Sequence, residues 1–144
     1  MHRTGYRATW ILALLAGCAG GGGITKSTAP TEQDRAHTRM LLGTWVTEYD
    51  DAEITYRADG TCSMWMELED EDGGMQRYES SGTWQVRDGA IHGVTERMEP
   101  PLEELPLPYV SIEKLVEVGA DQYRYVCPVQ DCTNTMRRVS RTAR

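Results

Sequence analysis

The sequence predicts an all-β domain: an antiparallel up-and-down meander, closed or partly closed into a barrel, behind one short helix. Three observations predict it. From Gly43 onward, apolar and polar residues alternate with a period of two. Turn-forming stretches rich in Asp and Gly interrupt that alternation at short, regular intervals. A single capped helical segment stands just ahead of the first strand. An open two-layer sheet is the competing architecture.

The helix begins at Thr31. Asp34 lies three residues on, and Glu32 and Asp34 fall in the first turn. This is a variant capping box that sets acids on the positive end of the helix dipole. Met40-Leu41-Leu42 forms an apolar tail, and Gly43 stops the helix.

The first strand follows, with Trp45, Thr47 and Tyr49 on one face, and Asp50-Asp51 turns the chain. Ile54 and Tyr56 mark a second strand, closed by Ala58-Asp59-Gly60. Cys62, Met64, Met66 and Leu68 alternate along a third, with Trp65 on the other face, before the polar tip Asp70-Glu71-Asp72-Gly73-Gly74. Met75 to Ser80 reads as the return strand. Trp84 and Val86 read as a further one, ended by the hairpin signal Asp88-Gly89. Ala90 to Arg97 returns again. Met98 to Pro108 contains four prolines and cannot be a central strand. Tyr109–Val118, Gln122–Cys127 and a last strand from about Asn134 to Arg141 complete the meander.

The N-terminus carries a different signal. Met1 to Thr9 is short and basic, with Arg3 and Arg7 and no acid; Trp10 to Ala16 is apolar; small residues follow. That order is a secretory signal, and the apolar run is far short of the roughly 20 residues that span a bilayer. Its ending, Leu15-Ala16-Gly17-Cys18, resembles the lipobox of bacterial lipoproteins in all four positions. The resemblance implies cleavage before Cys18, a diacylglycerol on its thiol and a fatty acid such as palmitate on the new amino terminus. Several acyl chains on one residue anchor a protein stably, whereas one chain alone holds only marginally. Ala19, rather than an aspartate, follows the cysteine, which in that family leans toward the periplasmic face of the outer membrane over the inner membrane. The expected organisation is a signal peptide over 1–17, a Gly-rich tether over 18–30 and one β domain over 31–144. The tether could extend to about 40 Å at roughly 3.3 Å per residue.

Composition sets limits. Of 144 residues, 127 remain after the signal, enough for one domain. The net charge of -7 becomes -9 when Arg3 and Arg7 leave with the signal. An acidic chain is a poor partner for nucleic acid. There is no Phe, so the aromatic core must come from Trp45, Trp65, Trp84 and the tyrosines. Three cysteines remain besides Cys18. Cys127 and Cys132 could close a small loop between strands, and Cys62 pairing with either is the alternative.

No catalytic constellation is legible, and no cofactor or metal is expected. The acidic run Glu67 to Gly73 has carboxylates before a glycine but lacks EF-hand spacing and helical flanks, so a solvated hairpin tip is the simpler reading. His92 lies in a strand with no nucleophile motif to serve. Glu-rich Met98 to Pro106 reads as a lid or spacer loop, with docking to a partner's aromatic groove as a second reading.

Gly43-Thr44-Trp45 behind a short helix, Tyr56 to Thr61, the repeated Gly82-Thr83-Trp84, and Met136-Arg137-Arg138-Val139 near the end together resemble small bacterial lipocalin-like domains over roughly residues 40–141. The resemblance implies that Trp45 packs across the closed end of a barrel or half-barrel. It also implies that Arg137 or Arg138 stacks on that ring, a cation–π contact. An eight-stranded barrel has room for one small ligand. Tyr56, Met64, Trp65, Met66 and Trp84 are the candidate ligand contacts, and methionines suit irregular apolar ligands. The expected function is a lipid-anchored envelope protein binding a small apolar molecule. The alternative is a non-catalytic structural or interaction protein with a filled barrel and an envelope protein as partner.

Overall fold

The computed structural model describes residues 29–127 and 132–140; the signal, Cys18 and the tether up to residue 28 lie outside them. Helix α1 (Glu32–Leu41) precedes eight strands. These are β1 (Gly43–Thr47), β2 (Ala52–Tyr56), β3 (Thr61–Glu69), β4 (Met75–Arg87), β5 (Ala90–Glu99), β6 (Tyr109–Val118), β7 (Gln122–Cys127) and β8 (Cys132–Ser140). Each strand pairs antiparallel with the next, and β8 returns to pair with β1. The sheet is therefore a closed up-and-down barrel, and the open two-layer alternative falls. Closure leaves no unpaired strand edge.

The helix starts as its residues require. Thr31 Oγ1 accepts from Asp34 N at 3.0 Å, and Asp34 Oδ2 accepts from Thr31 N at 2.9 Å. Asp34 does more than cap. Its carboxylate also accepts the backbone N–H of Asp88 (3.2 Å) and Gly89 (3.0 Å), in the turn between β4 and β5. These bonds to the ionised form hold its pKa down at about 2. One buried carboxylate thus fastens the start of α1 to a hairpin on the barrel.

The other end of α1 is fastened by Arg138. Its guanidinium donates to the carbonyls of Met40, Leu42 and Ala120, and lies 4.0 Å over the Trp45 ring. Helix C-termini leave carbonyls without partners, and a cation there satisfies both bonding and dipole. Of the two candidate arginines, Arg138 makes the stack; Arg137 turns outward to an exposed ion pair with Asp50.

Trp45 is fully buried, donates its indole N–H to Leu41 O at 2.7 Å, and meets Tyr123 edge-on at 4.9 Å. Tyr56, Trp84 and Tyr125 extend this aromatic layer, which fills the closed end without any Phe.

One strand differs from the sequence expectation. Met75–Ser80 and the Trp84–Val86 stretch are a single strand, β4. Pairing continues through Ser81-Gly82 because β5 bulges there, leaving Glu96 as the extra residue. Gly82 permits it: a Cβ at that position would stand 1.8 Å from the Val94 carbonyl oxygen.

The Pro-rich loop 100–108 folds back over the other end of the barrel. Leu105 is buried there with Ala52, Met66 and Met98, while Leu102 and Tyr109 pack alongside. The sequence reading starts this loop at Met98, but Met98 and Glu99 are the end of β5, paired with Ser80 and Glu79.

Candidate functional site

The barrel interior holds two packed clusters with a gap between them. Toward α1 lies the aromatic layer; toward loop 100–108 lies the Met66–Met98–Leu105 cluster. The gap is a cavity of about 70 Å³. Tyr56, Met64 and Trp84 border it, with Cys62 and the polar side chains of Ser80, Thr95, Ser111 and Glu113. A larger open depression, about 810 Å³, lies on the outer face of β2–β5, beside Trp65, Glu79, Arg97 and Leu107. Met64, Ser80 and Met98 are register neighbours in the continuous β3–β4–β5 ladder that separates the two.

The five candidate ligand contacts separate accordingly. Tyr56, Met64 and Trp84 face the cavity. Met66 faces inward but is sealed inside the apolar cluster. Trp65 is a correction: the period-two alternation that buries Met66 turns Trp65 to the outer face. There it sits opposite Glu53 and Glu79, with the Arg77 guanidinium 4.5 Å from its ring centroid.

Tyr56 and Tyr123 meet through their hydroxyls at 3.2 Å, and burial pushes both phenols well above the ordinary range. Burial likewise holds the Cys62 thiol up at about 11. Cys62 stands here as a free thiol. Cys127 and Cys132 are direct register partners across β7 and β8.

Glu113 is the feature that sequence reasoning missed. It stands on β6 opposite Ile91 of β5, in the cavity wall. Burial raises its pKa to about 7, so near neutral pH the carboxyl is close to half ionised. Its strand is inverted relative to hydrophobic patterning. Val110 and Ile112 are about half exposed, while Ser111 and Glu113 look inward. A bulge at Val116 then shifts the register between Leu115 and Glu117, so that Leu115 and Val118 both pack on the core. Hydrophobic patterning assigns Val110 and Ile112 to the inside, so no sequence signal pointed to Glu113.

The remaining candidates do not converge. His92 bonds the Arg87 carbonyl at 3.2 Å, on the face opposite Ile91. Asp70 uses its carboxylate to close the β3–β4 hairpin, accepting from Asp72 N (3.0 Å) and Gly74 N (2.6 Å). Among the described residues, no three His, Cys, Asp or Glu side chains are grouped to hold a metal. Among them also, no helix is long and apolar enough to cross a membrane.

Solved structures of similar shape exist. A lipocalin-like protein from Bacteroides uniformis is 14% identical, with a TM-score of 0.47, and the match covers 69% of this chain and 99% of that one. An uncharacterised protein from Bacteroides eggerthii is 10% identical, with a TM-score of 0.48 and the same coverage. No family model matches the chain, and no curated protein matches it. Both structural likenesses are remote, so the chemistry of the interior is argued from this chain's own residues.

Proposed function

We propose that this chain is a lipid-anchored envelope lipoprotein whose lipocalin-like barrel binds one small, largely apolar ligand and does no catalysis. The observation that carries the binding reading is the interior gap. A barrel with this many aromatic and Met side chains could close completely, yet a space bordered by Tyr56, Met64 and Trp84 is kept open. Met98 joins the wall of this space to the apolar cluster beneath loop 100–108, so displacing that loop would give a route in. The anchor reading rests on residues 1–18, with Cys18 as the acylated residue and the outer membrane as the favoured site.

One observation favours a second reading. The cavity is only about 70 Å³, room for a few water-sized groups and not for a whole lipid. A ligand must therefore displace loop 100–108. If the loop stays in place, the barrel is filled, and the protein acts through its surface on another envelope component.

Native against denaturing mass spectrometry of the chain purified from its own host tests the two. A discrete mass lost on denaturation supports the ligand reading. A bare mass in both states, unchanged by fatty acids or aromatic metabolites, refutes it. The same spectra test the anchor: a diacylglyceryl and fatty acyl addition on Cys18 is expected, and an unmodified N-terminus would refute it.

A further inference from the structure

We propose that the barrel interior receives the charged end of a small organic cation, a primary alkylamine, with Glu113 as its counter-ion. This deepens the ligand-binding reading above and rests on it.

The first argument is the isolation of the carboxylate. The titratable groups facing it from other strands are Tyr56 on β2, Cys62 on β3 and Tyr123 on β7, with Tyr125 behind them. Tyr56, Cys62 and Tyr123 are acids that stay neutral well above pH 7. Arg57 and Glu96 act on Cys62. No ion pair or hydrogen bond to the Glu113 carboxylate exists among the described residues. A partly buried carboxylate lining a cavity without a partner is costly, and a barrel needing only a filler would place Val or Leu there.

The second argument is the strand itself. Putting Val110 and Ile112 in solvent and Ser111 and Glu113 inside runs against patterning, and breaks of this kind mark functional positions. Gly93, opposite Ser111, preserves the space: a Cβ there would come within 2.9 Å of Ser111 Oγ.

The third argument is the fit of the walls. Tyr56 and Trp84 present aromatic rings to the cavity, and ammonium groups are attracted to such faces. The hydroxyls of Ser80, Thr95 and Ser111 are acceptors for the remaining ammonium N–H groups. The volume suits a head group, and an apolar tail would lie along the Met64 and Met98 side of the cavity, toward the apolar cluster beneath loop 100–108. A carboxylate ligand would meet Glu113 as a like charge. Binding is a proton exchange: the ammonium enters as the Glu113 carboxyl releases its proton to solvent.

The test is calorimetry on the full-length chain in mild detergent, with hexylamine, hexanol and hexanoate at pH 6 and pH 8. Hexylamine stays protonated throughout, since its amine resembles a lysine side chain. Between these pH values a group titrating at about 7 goes from about one tenth to nine tenths ionised, so hexylamine should tighten about tenfold. Hexanol should bind more weakly and without pH dependence, and hexanoate not at all. Glu113→Gln should lose the preference for amine over alcohol, and Glu113→Asp should keep part of it. As a second readout needing no variant, hexylamine should lower the Glu113 carboxyl titration seen by carbon NMR. Hexanol matching hexylamine, with Glu113→Gln unchanged and no shift in that titration, would overturn the inference and leave the ligand reading intact. No binding by any of the three, together with a bare native mass, would overturn both.

Discussion

Removing the Asp34 carboxylate should loosen α1 from the barrel, and the structure sets the size of the effect. Asp34 is 2% exposed and accepts three backbone N–H groups, from Thr31, Asp88 and Gly89. Hydrogen bonds to charged acceptors contribute roughly 1.5–3 kcal/mol each, less where the donor can turn to water. Thr31 and Asp88 lie at the surface and can rehydrate, so Asp34→Ala should cost about 3 kcal/mol at pH 7. The charge itself supplies part of this. A pKa of about 2 in the fold against 3.8 otherwise is worth ~2.4 kcal/mol at 1.36 per unit. Water reaches the exposed Thr31 and Asp88 beside Asp34, and its screening reduces that share to about 1–2 kcal/mol. Because the folded pKa is the lower one, this stabilisation is present in full above the unfolded value of 3.8. It is lost as pH falls through about 2. Urea unfolding followed by Trp fluorescence at pH 7 and pH 2 measures both effects. The gap between wild type and Asp34→Ala should narrow at the lower pH. A gap below about 1 kcal/mol at pH 7, or one equal at both pH values, would refute the reasoning.

Two further outcomes follow from the same geometry. Arg138→Ala strips the partners from the carbonyls of Met40 and Leu42 and uncovers Trp45, so a loss of about 2–3 kcal/mol is expected. Arg137→Ala removes only an exposed pair and should cost under about 1 kcal/mol; thermal melts of the two variants side by side check the difference. Cys127 and Cys132, opposite each other across β7 and β8, should form a disulfide in an oxidising compartment, worth about 2 kcal/mol for so short a loop. Thiol alkylation with and without reductant, read by peptide mass, checks it: both cysteines should be blocked only after reduction.

Much of the fold was legible in the residues because its determinants are local. The capping box at Thr31 and Asp34, the Asp-Gly turns and the period-two alternation each act within a few positions. Trp45 was legible as the closed-end residue through its place behind Gly43. Its partner stayed open between Arg137 and Arg138, because neighbours on a strand point to opposite faces and only register decides which one turns inward. β4 read as two strands for a related reason. Gly82 resembles a break until β5 is seen to bulge against it, and that contact spans 12 residues of sequence.

The candidate site was less legible. Tyr56, Met64 and Trp84 reached the cavity as expected, Met66 joined the apolar cluster, and Trp65 faced out. Glu113 was invisible because hydrophobicity assigns faces by composition, and β6 presents its apolar residues to solvent. Sequence alone determined the class of the domain, the capped helix, the turns and the lipobox resemblance at Cys18, all matters of near neighbours in the chain. Tertiary structure decided barrel closure, the choice of Arg138, the burial of Asp34 against a distant hairpin and the inward face of β6. Those depend on which residues meet across strands, and that is settled only when β8 pairs with β1 and every side chain is assigned an inside.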